Sequence, residues 1–164
     1  MKVRTATVDD AHGIALVYNE GIADRTATFE TRARTPEDVR AWFDGNHPVV
    51  VVEHDDAVAA FASTSSYRNR DCYAGIAEAS VYVGRAWRGR GAGRMALAAL
   101  IDVAGQAGYW KLVSRIFPEN DASRRLIRSL GFREVGTYEK HGKLDGVWRD
   151  VIIVERLIPA NLKP

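Results

Sequence analysis

The chain has 164 residues, 46% of them hydrophobic and 27% charged, with a formal net charge of +2 at pH 7. That balance fits one folded domain over residues 1–164 and excludes disorder, and so small a net charge gives no ground for nucleic acid as a partner. No apolar run reaches the length of a membrane span, no signal-peptide pattern opens the chain, and the lone Cys72 cannot form an intrachain disulfide, so the expected setting is cytoplasmic, without a membrane partner.

In chain order, Val3 to Ala6 predicts a first strand, and Asp9 or Asp10 can cap a helix carrying Ile14, Val17, Tyr18 and Ile22. Thr35-Pro36-Glu37-Asp38 predicts a second helix start, with threonine as cap, proline at the first helical position and acids at the positive end of the helix. Val49 to Glu53 and Val58 to Ser65 read as strands around an Asp55-Asp56 turn. Ser80 to Val83 is β-branched and aromatic, which suits a strand, whereas Leu97, Leu100, Ile101 and Ala104 recur at helical spacing before Gly105 and Gly108. Lys111 to Phe117 predicts another strand and Ala122 to Leu130 a short helix ended by Gly131. Phe132 to Tyr138 with Arg149 to Leu157 predicts a closing antiparallel pair. The order β, α, α, β, β, β, α, β, α, β, β describes an α/β domain in three layers. Trp42, Trp87, Trp110 and Trp148 are expected in core or edge packing.

Between the central strand and the long helix lies Arg88-Gly89-Arg90-Gly91-Ala92-Gly93-Arg94. Glycines let the backbone turn tightly, the free amides of the following helical turn carry partial positive charge, and Arg85, Arg88, Arg90 and Arg94 surround them, so the loop suits an anion. It is no kinase-type phosphate loop, because Gly84 to Gly89 is followed by Arg90-Gly91 rather than Lys and Ser or Thr. A dinucleotide fingerprint on Gly91, Gly93 and Ala96 lacks its acidic residue, since Ser114 to Ile116 stand at the required distance. A plain solvated connection would account for the arginines but not for glycines alternating with them.

Arg88-x-x-Gly91-x-Gly93, set after a strand and before a helix, resembles the pyrophosphate loop of the GNAT N-acetyltransferase superfamily. "PENDASRRLIRSLGF", Pro118 to Phe132, resembles that family's second signature. "YNEGIADRTATFET", the stretch Tyr67 to Val83 and "DGVWRDV" look like the phosphinothricin acetyltransferase group, and more closely the arsinothricin-resistance acetyltransferases. The resemblance implies the GNAT fold, a central mixed and mainly antiparallel sheet flanked by helices. It also implies acetyl-CoA as co-substrate, a small anionic glutamate-like amino acid as acceptor (with another amine, such as a protein N-terminus or a polyamine, or a non-catalytic acetyl-CoA-binding module as the alternatives), no metal, and a homodimer that covers exposed end strands.

Residue by residue, the resemblance implies that the pantetheine arm pairs with the backbone of Val81 and Val83 like an added strand. Arg88, Arg90, Gly91, Ala92, Gly93 and Arg94 would hold the pyrophosphate, with Asn120, Ser123 and Arg124 also near the cofactor; Asn120 can equally cap the short helix. Glu78 stands where the phosphinothricin enzymes place their catalytic glutamate. Its chemistry fits, because an α-ammonium group must lose a proton before it attacks a thioester. Arg68, Arg70 and Tyr73 match the substrate loop, with Phe29 as a wall and Arg32 closing over the pocket; Arg34 reads as ordinary surface charge. Two departures stand out. The tyrosine that many of these enzymes use to protonate the leaving thiolate is Ile127 here, and the histidine usual before G-x-W is Asp145. His141 is the candidate substitute, and Tyr138 a weaker one.

Overall fold

A computed structural model describes all residues, 1–164. Its elements are β1 (Lys2–Thr5), α1 (Ala11–Asp24), α2 (Pro36–Arg40), β2 (Val49–His54), β3 (Ala57–Ser66), β4 (Ile76–Val83), α3 (Ala92–Gln106), β5 (Lys111–Ile116), α4 (Asp121–Ser129), β6 (Arg133–Leu144) and β7 (Val147–Leu157). They follow the order expected from the sequence. The strands form one seven-stranded sheet in the order β1-β2-β3-β4-β5-β7-β6, antiparallel everywhere except between β4 and β5.

The valine run of β2 shows why the sheet lies in the middle. Val50 and Val52 join a core of 20 buried residues on the α3 side, while Val49 and Val51 join a second core of nine on the α1 and α2 side. A strand covered on both faces needs apolar side chains on both, which is why its sequence does not alternate. Helix α2 begins as its sequence indicates: Thr35 Oγ1 accepts from Asp38 N at 3.2 Å, and Asp38 Oδ2 accepts from Thr35 N at 2.8 Å. Asp10, by contrast, starts α1 without capping it. Its carboxylate is occupied by Arg4 and by the Thr7 amide, each at 2.8 Å.

The feature that shapes the site is the meeting of β4 and β5. Their parallel pairing lasts for only three residue pairs, from Ile76↔Lys111 to Glu78↔Val113. At its start Gly75 is pressed against Trp110, where a Cβ would lie 1.9 Å from the indole, and the Trp110 amide donates to Gly75 O at 2.8 Å. At its end Ser114 Oγ donates to Ala79 O at 2.8 Å, a side chain closing the ladder. Beyond that point the strands splay.

The terminal hairpin is longer than expected. Asp145 and Gly146 take φ of 50° and 78°, a two-residue turn, so β6 runs on to Leu144 and His141 lies in a strand rather than in a turn. The register shifts between Tyr138 and Gly142, where Lys140 has φ of 46° and its amide donates to Asp150 Oδ1 at 2.8 Å. A bulged, exposed and charged segment carries no alternation to read.

Candidate active site

The backbone of β4 faces two ways. The Gly84 amide donates to Ala59 O at 2.8 Å, so the alternation of an antiparallel ladder turns Glu78, Ser80 and Tyr82 toward β3 for their backbone bonds, and Val81 and Val83 toward the splay. Unpaired amides and carbonyls on a strand flank are costly unless a ligand or water satisfies them. Val81 and Val83 line a cleft of about 490 Å³, together with Arg88, Gly91, Gly93, Arg94, Asn120 and Ser123.

The loop at one end of that cleft is built for an anion. Gly91 has φ of 84°, the left-handed region that favours glycine, and α3 starts there with no side-chain cap. The first amides of this 15-residue helix are therefore free. Gly93 brings the helix against β4, where a Cβ would lie 3.1 Å from Val83 Cγ2 and 3.3 Å from Leu126 Cδ2. Acetyl-CoA, an elongated diphosphate ester with an amide-bearing arm, fits both the free helix amides and the strand flank at Val81 and Val83, where no neighbouring strand pairs.

The loop's arginines do not act alike. Arg85 and Arg88 converge on Asp24 at 2.6 and 2.7 Å, and the Arg88 Nε also donates to Val83 O at 3.2 Å. These contacts, that with Arg85 first, hold the Asp24 carboxyl below its ordinary range. Arg94 lines the cleft and donates to Ser129 Oγ at 2.7 Å, whereas Arg90 is exposed and does not line it. Asn120 does two things: its Oδ1 caps α4 through the Ser123 amide at 3.2 Å, and its Nδ2 reaches Thr26 O at 3.4 Å across the cleft. Arg124 is turned away from the cleft, paired with Glu134 at 2.8 Å and bonded to Pro118 O at 3.0 Å. On the short helix its side chain follows the neighbouring strand rather than the loop. Trp87, expected only as packing, is a cleft wall.

From this cleft a series of smaller cavities with shared walls crosses the splay. There are three: Ser80, Tyr82, Ser114 and Arg115 bound the first and second, and Glu78, Ser114 and Arg115 bound the second and third. Tyr82 is a neutral wall, since burial pushes its phenol up, and Tyr18 beside it shifts in the same direction for the same reason. Phe29 walls the second cavity and meets Phe117 edge-on at 4.9 Å. The outermost cavity, about 350 Å³, gathers Glu78, Arg68, Arg115, Tyr138 and His141. Tyr138 and His141 stack there at 4.6 Å.

Three candidates from the substrate side lie elsewhere. Arg70 and Tyr73 stack on each other at 5.5 Å in the loop before β4 and line neither cavity that holds Glu78. Arg32 pairs with Asp38 at 3.1 Å at the start of α2. Arg34 is the better enclosed of that pair, bonded to Glu30 at 2.6 Å and lying over the Tyr18 ring at 5.8 Å. Ile127 is buried, 3% exposed, so that position of α4 offers no proton donor.

Arg115 is the residue that sequence reasoning missed. Its Nη2 donates to Glu78 Oε1 at 2.6 Å. The signal was its period-two spacing from Val113, but only the pairing of Val113 with Glu78 reveals what it stands beside.

Comparison with known proteins matches the chain and its fold to acetyltransferases. A family model described as the acetyltransferase (GNAT) family matches residues 17–132. The L-methionine sulfoximine/L-methionine sulfone acetyltransferase of Salmonella typhimurium is 31% identical, over 100% of this chain and 98% of the relative. A GNAT superfamily phosphinothricin acetyltransferase of Sinorhizobium meliloti, solved in complex with acetyl-CoA, superposes with a TM-score of 0.87 at 27% identity, covering 96% of this chain and 88% of that one. The ribosomal-protein-alanine N-acetyltransferase of Brucella melitensis superposes at 0.91 with 30% identity, covering 96% and 100%.

Proposed function

The chain belongs to the GNAT family of acetyltransferases, and from that premise we propose that it moves acetyl from acetyl-CoA to the α-amine of a small glutamate-like amino acid, with an anionic head as in phosphinothricin or arsinothricin preferred over a neutral one as in methionine sulfoximine. The observation that carries the reading is the outer cavity lined by a carboxylate, Glu78, and two guanidinium groups, Arg68 and Arg115, with Lys111 and Glu155 beside them paired to each other. Such a set suits a ligand with one cationic and two anionic groups. A polyamine would want acids in place of the arginines.

Bound acetyl-CoA supplies an activated acyl carbon, and the chain's own residues do the rest. The loop from Arg88 to Arg94 anchors the phosphates, and Val81 and Val83 align the arm along β4. Glu78 takes the proton that the acceptor ammonium must lose, directly or through a water. Arg68, whose guanidinium lies over the Tyr67 ring at 5.2 Å, reads the anionic head. By this reading the acetylated amino acid can no longer act through its free amine, so the activity is one of detoxification.

The test is release of CoA with a panel of amines: L-phosphinothricin, L-methionine sulfone, putrescine and a peptide beginning with alanine. The expected order puts phosphinothricin first. The neutral sulfone should lose about 10- to 100-fold in kcat/KM, the worth of a charge-assisted hydrogen bond to Arg68. Putrescine or the peptide matching phosphinothricin would replace this reading with another amine as acceptor; no turnover with any amine would make the chain a binding module.

The chain is further expected to form a homodimer, because β6 is an edge strand with Val135 and Tyr138 exposed, beside Trp148 on β7. Light scattering at micromolar concentration checks this, and a monomer of 18.1 kDa would contradict it.

A further inference from the structure

The Glu78–Arg115 ion pair has an unused half on each side. Arg115 spends one N–H on Glu78 Oε1, and its other guanidinium N–H groups have no protein partner; Glu78 Oε2 has none either. Of the other cations around that cavity, Lys111 is held by Glu155 at 3.0 Å, and Arg68 comes from the loop before β4, over the Tyr67 ring. Arg115 is also the one cation that lines all three cavities leading from the β4 splay to the outer pocket.

An α-amino acid carries its ammonium and carboxylate on a single carbon. Whatever reads the carboxylate must therefore stand beside whatever takes the ammonium's proton. Arg68, in the loop, lacks that adjacency, and Arg70 lies outside the cavity. We propose that the Glu78–Arg115 pair is the receptor for the zwitterionic end of the acceptor, with the ammonium on the free oxygen of Glu78 and the α-carboxylate on the free face of Arg115. The four charges then alternate in sign. The pair carries no net charge, and neither does the zwitterion, so docking leaves no unbalanced charge in the cavity. This division leaves Arg68 for the head group, and it makes Arg115 the residue that selects amino acids over simple amines. The inference rests on the acceptor class proposed above.

The experiment compares L-phosphinothricin with (3-aminopropyl)methylphosphinic acid, the same molecule without its α-carboxylate, at saturating acetyl-CoA. The wild-type chain should favour the amino acid by about 10- to 100-fold in kcat/KM. Arg115→Gln should remove most of that preference, read as the ratio of kcat/KM for the two acceptors, through a higher KM for the amino acid. Arg115→Lys should restore part of the preference. An unchanged ratio in Arg115→Gln, or an equal fall for both acceptors, overturns the assignment while the acceptor class stands. A wild-type chain that acetylates neither overturns the acceptor class, and this inference with it.

Discussion

Replacing Gly91 by valine should weaken acetyl-CoA binding by about 10- to 100-fold while leaving the fold intact. A β-branched residue held in the left-handed region costs on the order of 1–3 kcal/mol, and tenfold in affinity corresponds to about 1.4 kcal/mol. At φ of 84° the turn relieves that strain by moving, and what moves with it are the uncapped amides at the head of α3. No protein atom lies within 4 Å of a Cβ at Gly91, so the effect comes from backbone conformation and not from a clash within the chain. Gly93→Val reaches the same result by another route, pushing α3 off Val83 and Leu126. Calorimetric titration with acetyl-CoA, alongside circular dichroism for the fold, checks both. Unchanged affinity in both variants would remove this loop from the binding site.

The glycine and arginine loop was legible in the sequence because its chemistry is local. Turn, free amides and charge all lie within seven consecutive residues, Arg88 to Arg94. The order of elements was legible for the same reason, through valine runs, helical spacing and the Thr35-Pro36 start. What the sequence did not reveal depends on pairing between distant segments. Arg115 was within a predicted strand, yet nothing local shows that β5 runs parallel to β4 for only three residue pairs and then leaves Arg115 against Glu78. Arg70 and Arg124 failed in the opposite direction: a motif gave each a neighbourhood, but Tyr73 and Glu134 hold their side chains elsewhere. His141 lay beyond the strand expected to end at Tyr138 because bulged β6 lacks the two-residue rhythm, and the hairpin brings it into the cavity with Glu78.

The central claim is that Glu78 accepts the acceptor's proton, and Glu78→Gln tests it most directly. Glutamine keeps the shape of the side chain and a bond to Arg115 but cannot take a proton. A positioned base contributes a factor of about 100 to 10,000, so at neutral pH the loss should appear in kcat, with acetyl-CoA affinity unchanged. Raising the pH deprotonates the amine in bulk water, and each unit below the amine's own pKa gives about ten times more of the free base. The measurement is the pH profile of acetyl transfer to L-phosphinothricin by the wild-type and Glu78→Gln chains, under conditions where transfer is the slow step. The account predicts a variant slow at neutral pH that closes much of the gap as pH rises; a variant that matches wild-type turnover at neutral pH would contradict it and turn the proton-accepting role over to His141, across the same cavity.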